Sequence, residues 1–344
     1  MPTRRFTTRA IMESRYDRAE RLLLAAAVRS VLAARAALPG ERALAEAFAT
    51  GNIEPAVEAS AQAAARVIAQ ASFDVYLDSG RRTARLLEEA LNKPVRKQED
   101  ADPDALPVAP AGAAAVVIDF DAVNDFAIAR HAANRLERVR EWTDDQRTIA
   151  QRTIAEGIEE GTNPRAQARR FRASTGLTAR QHAAVANYRR LLMRAHEGDL
   201  ESMTRALRDR RFDASVRRSA RTGQPLTRAQ IARMVERYQD RYIKYRAEVV
   251  ARTEALGAVN AGSYDAQRLA VQEGVVERDA ITREWVAARD DRVRDTHVEV
   301  NGQRVGVDEP FIVGGAQMMF PGDPSGPARE VVSCRCTLVS SIRL

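Results

Sequence analysis

The chain has 344 residues, 45% of them hydrophobic, and a formal net charge of +7. Such a length fits about two or three domains and suffices to bury a sizeable core. No apolar run approaches about 18 residues without a charge, so no membrane span is expected, and two cysteines exclude a disulfide framework and fit synthesis in a reducing cytoplasm. The N-terminus starts basic but places Glu13, Asp17 and Glu20 ahead of its apolar patch, the wrong order for a secretory signal. The basic residues are almost all arginine, with lysine only at Lys93, Lys97 and Lys244. Arginine's planar fork suits phosphate oxygens. A GC-rich genome produces the same bias, however, and acids are plentiful, so charge alone does not assign a nucleic-acid partner.

Helix signals dominate the first three-quarters. Asn52 and Pro55 open an Ala-rich run expected to stop near Gly80, and a second helix is expected to reach Leu91. Few aromatics and many alanines predict a thinly packed, elongated helical arm over residues 1–100. Residues 101–118, rich in Pro and Ala without an apolar period, read as a linker or mobile loop. A helical body is expected over 119–273. Its first helix carries Val123, Phe126, Ile128 and Leu136 at near-helical spacing. Thr143, followed by Asp144 and Asp145, reads as the N-cap of a new helix that Gly161 ends. Asn163-Pro164 starts the next helix, closed near Gly176, and Thr178 opens another. Thr227 caps the longest run, which extends towards Gly274 and is expected to break at least once.

After Gly274 the grammar changes. ITREWVAA alternates apolar and polar residues like a strand, DDRVRDTH reads as a turn entering a short helix, and a Gly- and Pro-dense stretch follows. The expected fold is mainly α: an elongated helical body followed by a small C-terminal α+β module, residues 274–344, to which the strands are confined.

The final stretch, EVVSCRCTLV, holds Cys334 and Cys336. If Val331 to Val339 form a strand, residues i and i+2 share a face. Their α-carbons then lie roughly 6.5–7 Å apart, at or beyond the reach of a disulfide. Two thiols on one face make half of a soft-metal site. His297 follows the turn after the module's first strand, whose natural antiparallel neighbour is the cysteine strand. His297, Cys334 and Cys336 are therefore expected to converge, and three N/S donors suit Zn²⁺ better than a hard cation. The fourth ligand is open between Asp291, Asp295, Asp308, Asp323 and water; the alternative is packed thiols beside a hydrogen-bonded histidine.

The succession ARTEALGAVNAG, EWVAARDDRVRDTHVEVNGQ, FPGDP and SCRC resembles the Mu protein F-like family of phage minor head proteins, also called head morphogenesis proteins. Upstream stretches extend the resemblance over roughly Glu156 to Ile342. It implies a virion protein inside the capsid near the portal, made in the bacterial cytoplasm and acting in head assembly for a phage or a prophage-derived particle. The implied partners are the portal protein, with major capsid or scaffolding protein and double-stranded DNA as further ones, and no membrane. Some relatives carry toxin domains after this module; here the chain stops eight residues past Cys336, which favours no enzyme.

Arg252, Thr253 and Glu254 form the ARTE signature, with Arg252 placed to pair with Glu248 four residues earlier and Glu254 to anchor the helical body to the C-terminal module. Trp285 reads as a core anchor, and Asp291 and Arg294 as clamps of the DDRVRDTH turn. Tyr238, Tyr242 and Tyr245 mark one helical face, read as packing between helices rather than base stacking. His131, His182 and His196 have no second ligand nearby and read as ordinary. The densest basic stretch is Arg205 to Arg221, and Arg217, Arg218 and Arg221 are its candidate DNA contacts. Two alternatives stand beside head assembly: a DNA-binding internal protein, and a zinc-dependent hydrolase, which needs an open metal position and a placed base.

Overall fold

The computed structural model of the chain describes residues 3–93, 115–288 and 290–344. The described residues form ten α-helices and six strands. The helices are α1 (Arg9–Ala37), α2 (Glu41–Thr50), α3 (Glu54–Asn92), α4 (Asp125–Glu159), α5 (Pro164–Ser174), α6 (Ala179–Met193), α7 (Asp213–Thr222), α8 (Arg228–Gln272), α9 (Asp295–Glu299) and α10 (Ala328–Val331). The strands are β1 (Thr3–Arg5), β2 (Ile281–Val286), β3 (Arg304–Gly306), β4 (Phe311–Val313), β5 (Ala316–Met318) and β6 (Thr337–Arg343). Among the described residues no single helix is long and apolar enough to cross a membrane.

The chain clusters into two compact units, one of Met1–Leu24, Gln70–Ala133 and Val249–Leu344, the other of Ala25–Ala69 and Asn134–Glu248. Each draws on separated segments, so contacts group the chain differently from the linear division at 100, 118 and 273. Residues 3–93 are not thinly packed: Met12, Leu23, Leu44 and Leu87 are completely buried. The linker expected at 101–118 lies outside the described residues as far as position 114.

In the second unit the helix punctuation follows local chemistry. Asn163 accepts from the Ala166 amide at 2.9 Å, with Pro164 in the first turn of α5. Thr178 and Gln181 form a reciprocal capping box at 3.2 and 3.0 Å. Gly161, Gly176 and Gly223 take the left-handed conformation that ends or follows helices. Helix α4, by contrast, runs straight through Thr143. Asp145 does not cap its own helix but accepts from the Ala179 amide at 2.9 Å, so it caps α6, and it pairs with Arg246 at 3.2 Å. The core gathers Phe48, Ile149, Phe171, Leu177, Leu192 and Tyr238. Tyr238 packs against Tyr188, ring centroids 4.3 Å apart, and against Tyr242 at 5.0 Å, whereas Tyr245 is half exposed.

In the first unit α3 passes through Gly80 and α8 through Gly257 and Gly262 without a break. These glycines mark close approach, not termination. A β-carbon on Gly80 would lie 2.0 Å from the Phe120 ring, and one on Gly262 would lie 2.2 Å from the Tyr76 carbonyl oxygen. Between the helices sits a buried polar seam. Asp265 receives Arg130 at 2.7 and 3.1 Å and the Tyr76 hydroxyl at 3.1 Å. Asn260 accepts from the Tyr16 hydroxyl at 2.5 Å and donates to the Pro321 carbonyl at 2.7 Å.

The main sheet is antiparallel in the order β1-β6-β2-β3, with β4-β5 a separate hairpin. Strands are thus not confined to the C-terminal module, because β1 pairs Thr3 with Arg343 and Arg5 with Ser341, covering what would be an open edge of β6. The alternation in β2 is as expected, with Ile281, Arg283 and Trp285 on the buried face. Arg283 is held there by the Gly306, Glu309 and Met319 carbonyls and lies over the rings of Tyr264 and Phe311. Burial pushes its guanidinium down to about 10.

Candidate metal centre

The two cysteines do not lie in the strand. After α10 the chain turns at Ser333, whose φ of +55° is the one left-handed non-glycine among the described residues, and the β6 ladder starts only at Thr337 opposite Val286. A serine in this region is strained, and its surroundings hold it there. The Thr253 hydroxyl accepts from the Ser333 amide at 3.0 Å, and Arg294 donates to the Val332 carbonyl at 2.6 Å. Arg335, between the cysteines, pairs with Asp290 at 2.6 Å. Asp290 also accepts from the Arg292 amide at 3.0 Å, so the turn's acidic clamp is Asp290, not its exposed neighbour Asp291.

His297, on the one-turn helix α9, meets this loop. Its Nδ1 stands 3.3 Å from Cys336 Sγ and 3.6 Å from Cys334 Sγ, and all three donor atoms lie within 4.8 Å of one another. The three residues are 1–2% exposed. Trp285, fully buried, sets its ring edge-on to the imidazole, centroids 5.5 Å apart, and is braced by Phe311 at 5.4 Å. On the far side of the imidazole, Nε2 lies 3.2 Å from Glu330 Oε2. Glu330 is itself held by the Thr296 hydroxyl at 2.8 Å and by Arg329 at 3.3 Å. Its carboxyl sits below the usual range: burial pushes it up, and Thr296, His297 and Arg329 outweigh that. Gly314, at φ +55°, leaves room for it, since a β-carbon there would lie 2.7 Å from the carboxylate.

The sulfur pair is polarised. The Cys336 thiol is pushed down to about 5, first by the hydrogen bond from Cys334 and then by His297, against the opposing effect of burial, while Cys334 is raised by Cys336 and by burial. The Cys336 amide points at Cys334 Sγ at 3.5 Å. Two sulfurs with an imidazole nitrogen facing both are a donor set matched to a soft cation.

Of the expected signature residues, Thr253, Trp285 and Arg294 surround this centre. Arg252 pairs with Glu20 on α1 at 3.0 Å rather than with Glu248, and buried Glu254 accepts from the Ser72 hydroxyl on α3 at 2.9 Å. The anchor from α8 to the cysteine loop is thus Thr253. The acids offered as a fourth ligand do not join: Asp323 accepts from the Met319 amide and Ser325, Asp308 pairs with Arg278, and Asp291 and Asp295 are exposed. Glu330 was missed by sequence reasoning; its place four residues before Cys334 carries no pattern, and only the fold sets it behind His297.

The basic stretch divides. Arg205, Arg208 and Arg211 are paired with Glu201, Asp213 and Asp209. Arg217, Arg218 and Arg221 are exposed, and among the described residues their guanidinium groups have no ion pair. They lie at i, i+1 and i+4 on α7, with Arg218 and Arg221 three apart. Of the other histidines, His131 packs on Phe73 with centroids 4.3 Å apart, and burial pushes His182 down to about 4.

Residues 211–339 match the family described as Phage Mu protein F like protein, a narrower span than Glu156 to Ile342. The chain is 32% identical over 97 residues to an uncharacterized protein, YqbB, of Bacillus subtilis, covering 27% of this chain and 30% of that one. It is also 32% identical over 114 residues to the NAD(+)–arginine ADP-ribosyltransferase EFV of Enterococcus faecalis, covering 33% of this chain and 22% of that one. The chain therefore spans less than a third of the length of either relative, and the activity named for the second is a property of that protein. No solved structure matches the chain.

Proposed function

We propose, from the match of residues 211–339 to the Phage Mu protein F like family, that this is a phage head morphogenesis protein, a minor head protein acting at the portal vertex inside the capsid. The observation that carries the reading is the family match, which falls on α7, α8 and the strands β2–β6, where Thr253 and Arg294 brace the loop that brings Cys334 and Cys336 to buried His297. A constellation of this kind holds a shape for binding. His297, Cys334 and Cys336 are closed to solvent, whereas a zinc hydrolase needs an ion that substrate can reach. We therefore read the protein as non-enzymatic, its partners being the portal protein and further head components.

The test is incorporation. Purified heads from cells producing the particle should contain the protein, an asymmetric reconstruction should place it at the portal vertex, and its deletion should yield malformed or empty heads. Normal heads without it, or its uniform spread over the shell, would refute the reading. A second role, contact with packaged DNA, is favoured by the free arginine face of α7, because a packed head is full of phosphate.

A further inference from the structure

We propose that His297, Cys334 and Cys336 hold a structural Zn²⁺ ion, with Glu330 orienting the histidine. The inference rests on the side-chain geometry and is independent of where in a particle the protein acts.

Four observations carry it. The first is spacing. Zinc at about 2.0 Å from nitrogen and about 2.3 Å from sulfur, in tetrahedral geometry, places such donors about 3.5 Å apart. The observed separations from His297 Nδ1 are 3.3 and 3.6 Å and all three donor atoms lie within 4.8 Å of one another, close to what an ion requires. The second is the carboxylate behind the imidazole. A histidine that ligates through one nitrogen commonly gives the other N–H to a carboxylate, which fixes the tautomer and raises its basicity. Glu330 Oε2 stands 3.2 Å from Nε2 and is itself held by Thr296; Nε2 makes no hydrogen bond as it stands, and a small turn of the ring would direct its N–H to the carboxylate. The third is that the acid is not a competitor for the ion, since the imidazole lies between it and the sulfurs. The fourth is the strained Ser333, clamped by Thr253 and Arg294 in a loop that turns both sulfurs inward. Packed thiols alone require neither the strain nor a carboxylate beside the imidazole.

With both thiols bound as thiolates, their protons pass to solvent, and the ion clips α9 to the segment between α10 and β6. Among the described residues no fourth protein donor joins the three, so the remaining position is left to one water enclosed with the ion. The unfolded chain has no preformed site, so the binding free energy adds to the stability of the C-terminal module.

The experiment uses the full chain purified without chelator. Elemental analysis should find about one zinc per chain. After removal of the zinc, titration with Co²⁺ should develop sulfur-to-metal charge-transfer absorption saturating at about one equivalent. Cys334→Ser and His297→Ala should abolish both signals. Glu330→Gln, which preserves shape, should retain the absorption and lose about 10–100-fold in affinity against a competing chelator. Wild-type protein that binds neither metal, while thiol counting in denaturant shows both cysteines reduced, overturns the proposal without relying on the folding of any variant. Full metal content in Cys334→Ser, or an unchanged affinity in Glu330→Gln, overturns the assignment of ligands or of the orienting carboxylate.

Discussion

Replacing Gly262 by alanine tests whether α3 and α8 meet as closely as the structure has them. In an isolated helix this change is favourable by about 1 kcal/mol, because glycine is the weaker helix former. Here the new β-carbon would lie 2.2 Å from the Tyr76 carbonyl oxygen and 2.9 Å from the Gly80 amide nitrogen. A carbon–oxygen contact relaxes to about 3.3 Å, so the helices must part by about 1 Å. Both obstructing atoms are backbone, and no rotamer change relieves them. The separation also loosens the bonds flanking the contact, Tyr76 to Asp265 at 3.1 Å and Thr83 to Ser263 at 3.0 Å. Overpacking costs about 1–3 kcal/mol, with the upper end expected for rigid partners, which leaves a net loss of about 2 kcal/mol. The chain has two tryptophans, and Trp285 belongs to the same compact unit while Trp142 belongs to the other. In a Trp142→Phe background, urea unfolding followed by Trp285 fluorescence should show the midpoint lowered by roughly 1 M. Gly157→Ala, where the β-carbon meets only the Gln167 side chain, should cost far less. An unchanged or raised midpoint for Gly262→Ala would show that the close approach is not real.

Asp265→Asn leaves Arg130 facing a neutral amide in a buried seam, and unfolding should cost about 3–5 kcal/mol less than in the parent; a loss below 1 kcal/mol in denaturant titration would argue against the pair's burial. His182 is buried, with Nδ1 unpartnered among the described residues, and burial with a smaller contribution from Arg152 pushes it down to about 4. The unfolded chain then binds the proton more readily, so stability is complete above the ordinary value of 6.5 and falls as pH drops towards 4, by up to about 1.4 kcal/mol per pH unit. His182→Gln should flatten that slope between pH 6.5 and 5 in thermal unfolding, and an unaltered slope would refute the assignment. Changing Arg217, Arg218 and Arg221 to Gln should weaken retention on DNA and make its salt dependence shallower by about 1 for each lost phosphate contact. No retention of the parent protein at low salt would end the DNA reading.

Several features are legible in the amino-acid sequence alone. Asn163, Thr178 and Thr227 cap the helices expected of them, and Gly161, Gly176 and Gly274 take the left-handed turns their positions announced. The period-two pattern of β2 and the convergence of His297 on Cys334 and Cys336 were legible too. Caps and turns form between residues a few positions apart, so their chemistry is complete within a short window. Other features had no such window. Gly80 reads as a stop because a close helix crossing and a helix end ask for the same residue, and only the partner, Phe120, tells them apart. Asp145 reads as a first-turn acid of a helix capped by Thr143, yet its hydrogen bond caps α6, 34 residues on. The strand Thr3–Arg5 is three polar residues with no pattern, and it is a strand because β6 offers it an edge. Glu330 is one acid among many until the chain folds it behind His297. In each case the deciding contact joins residues far apart in the chain, and its energy is realised only when the rest of the unit has brought them together.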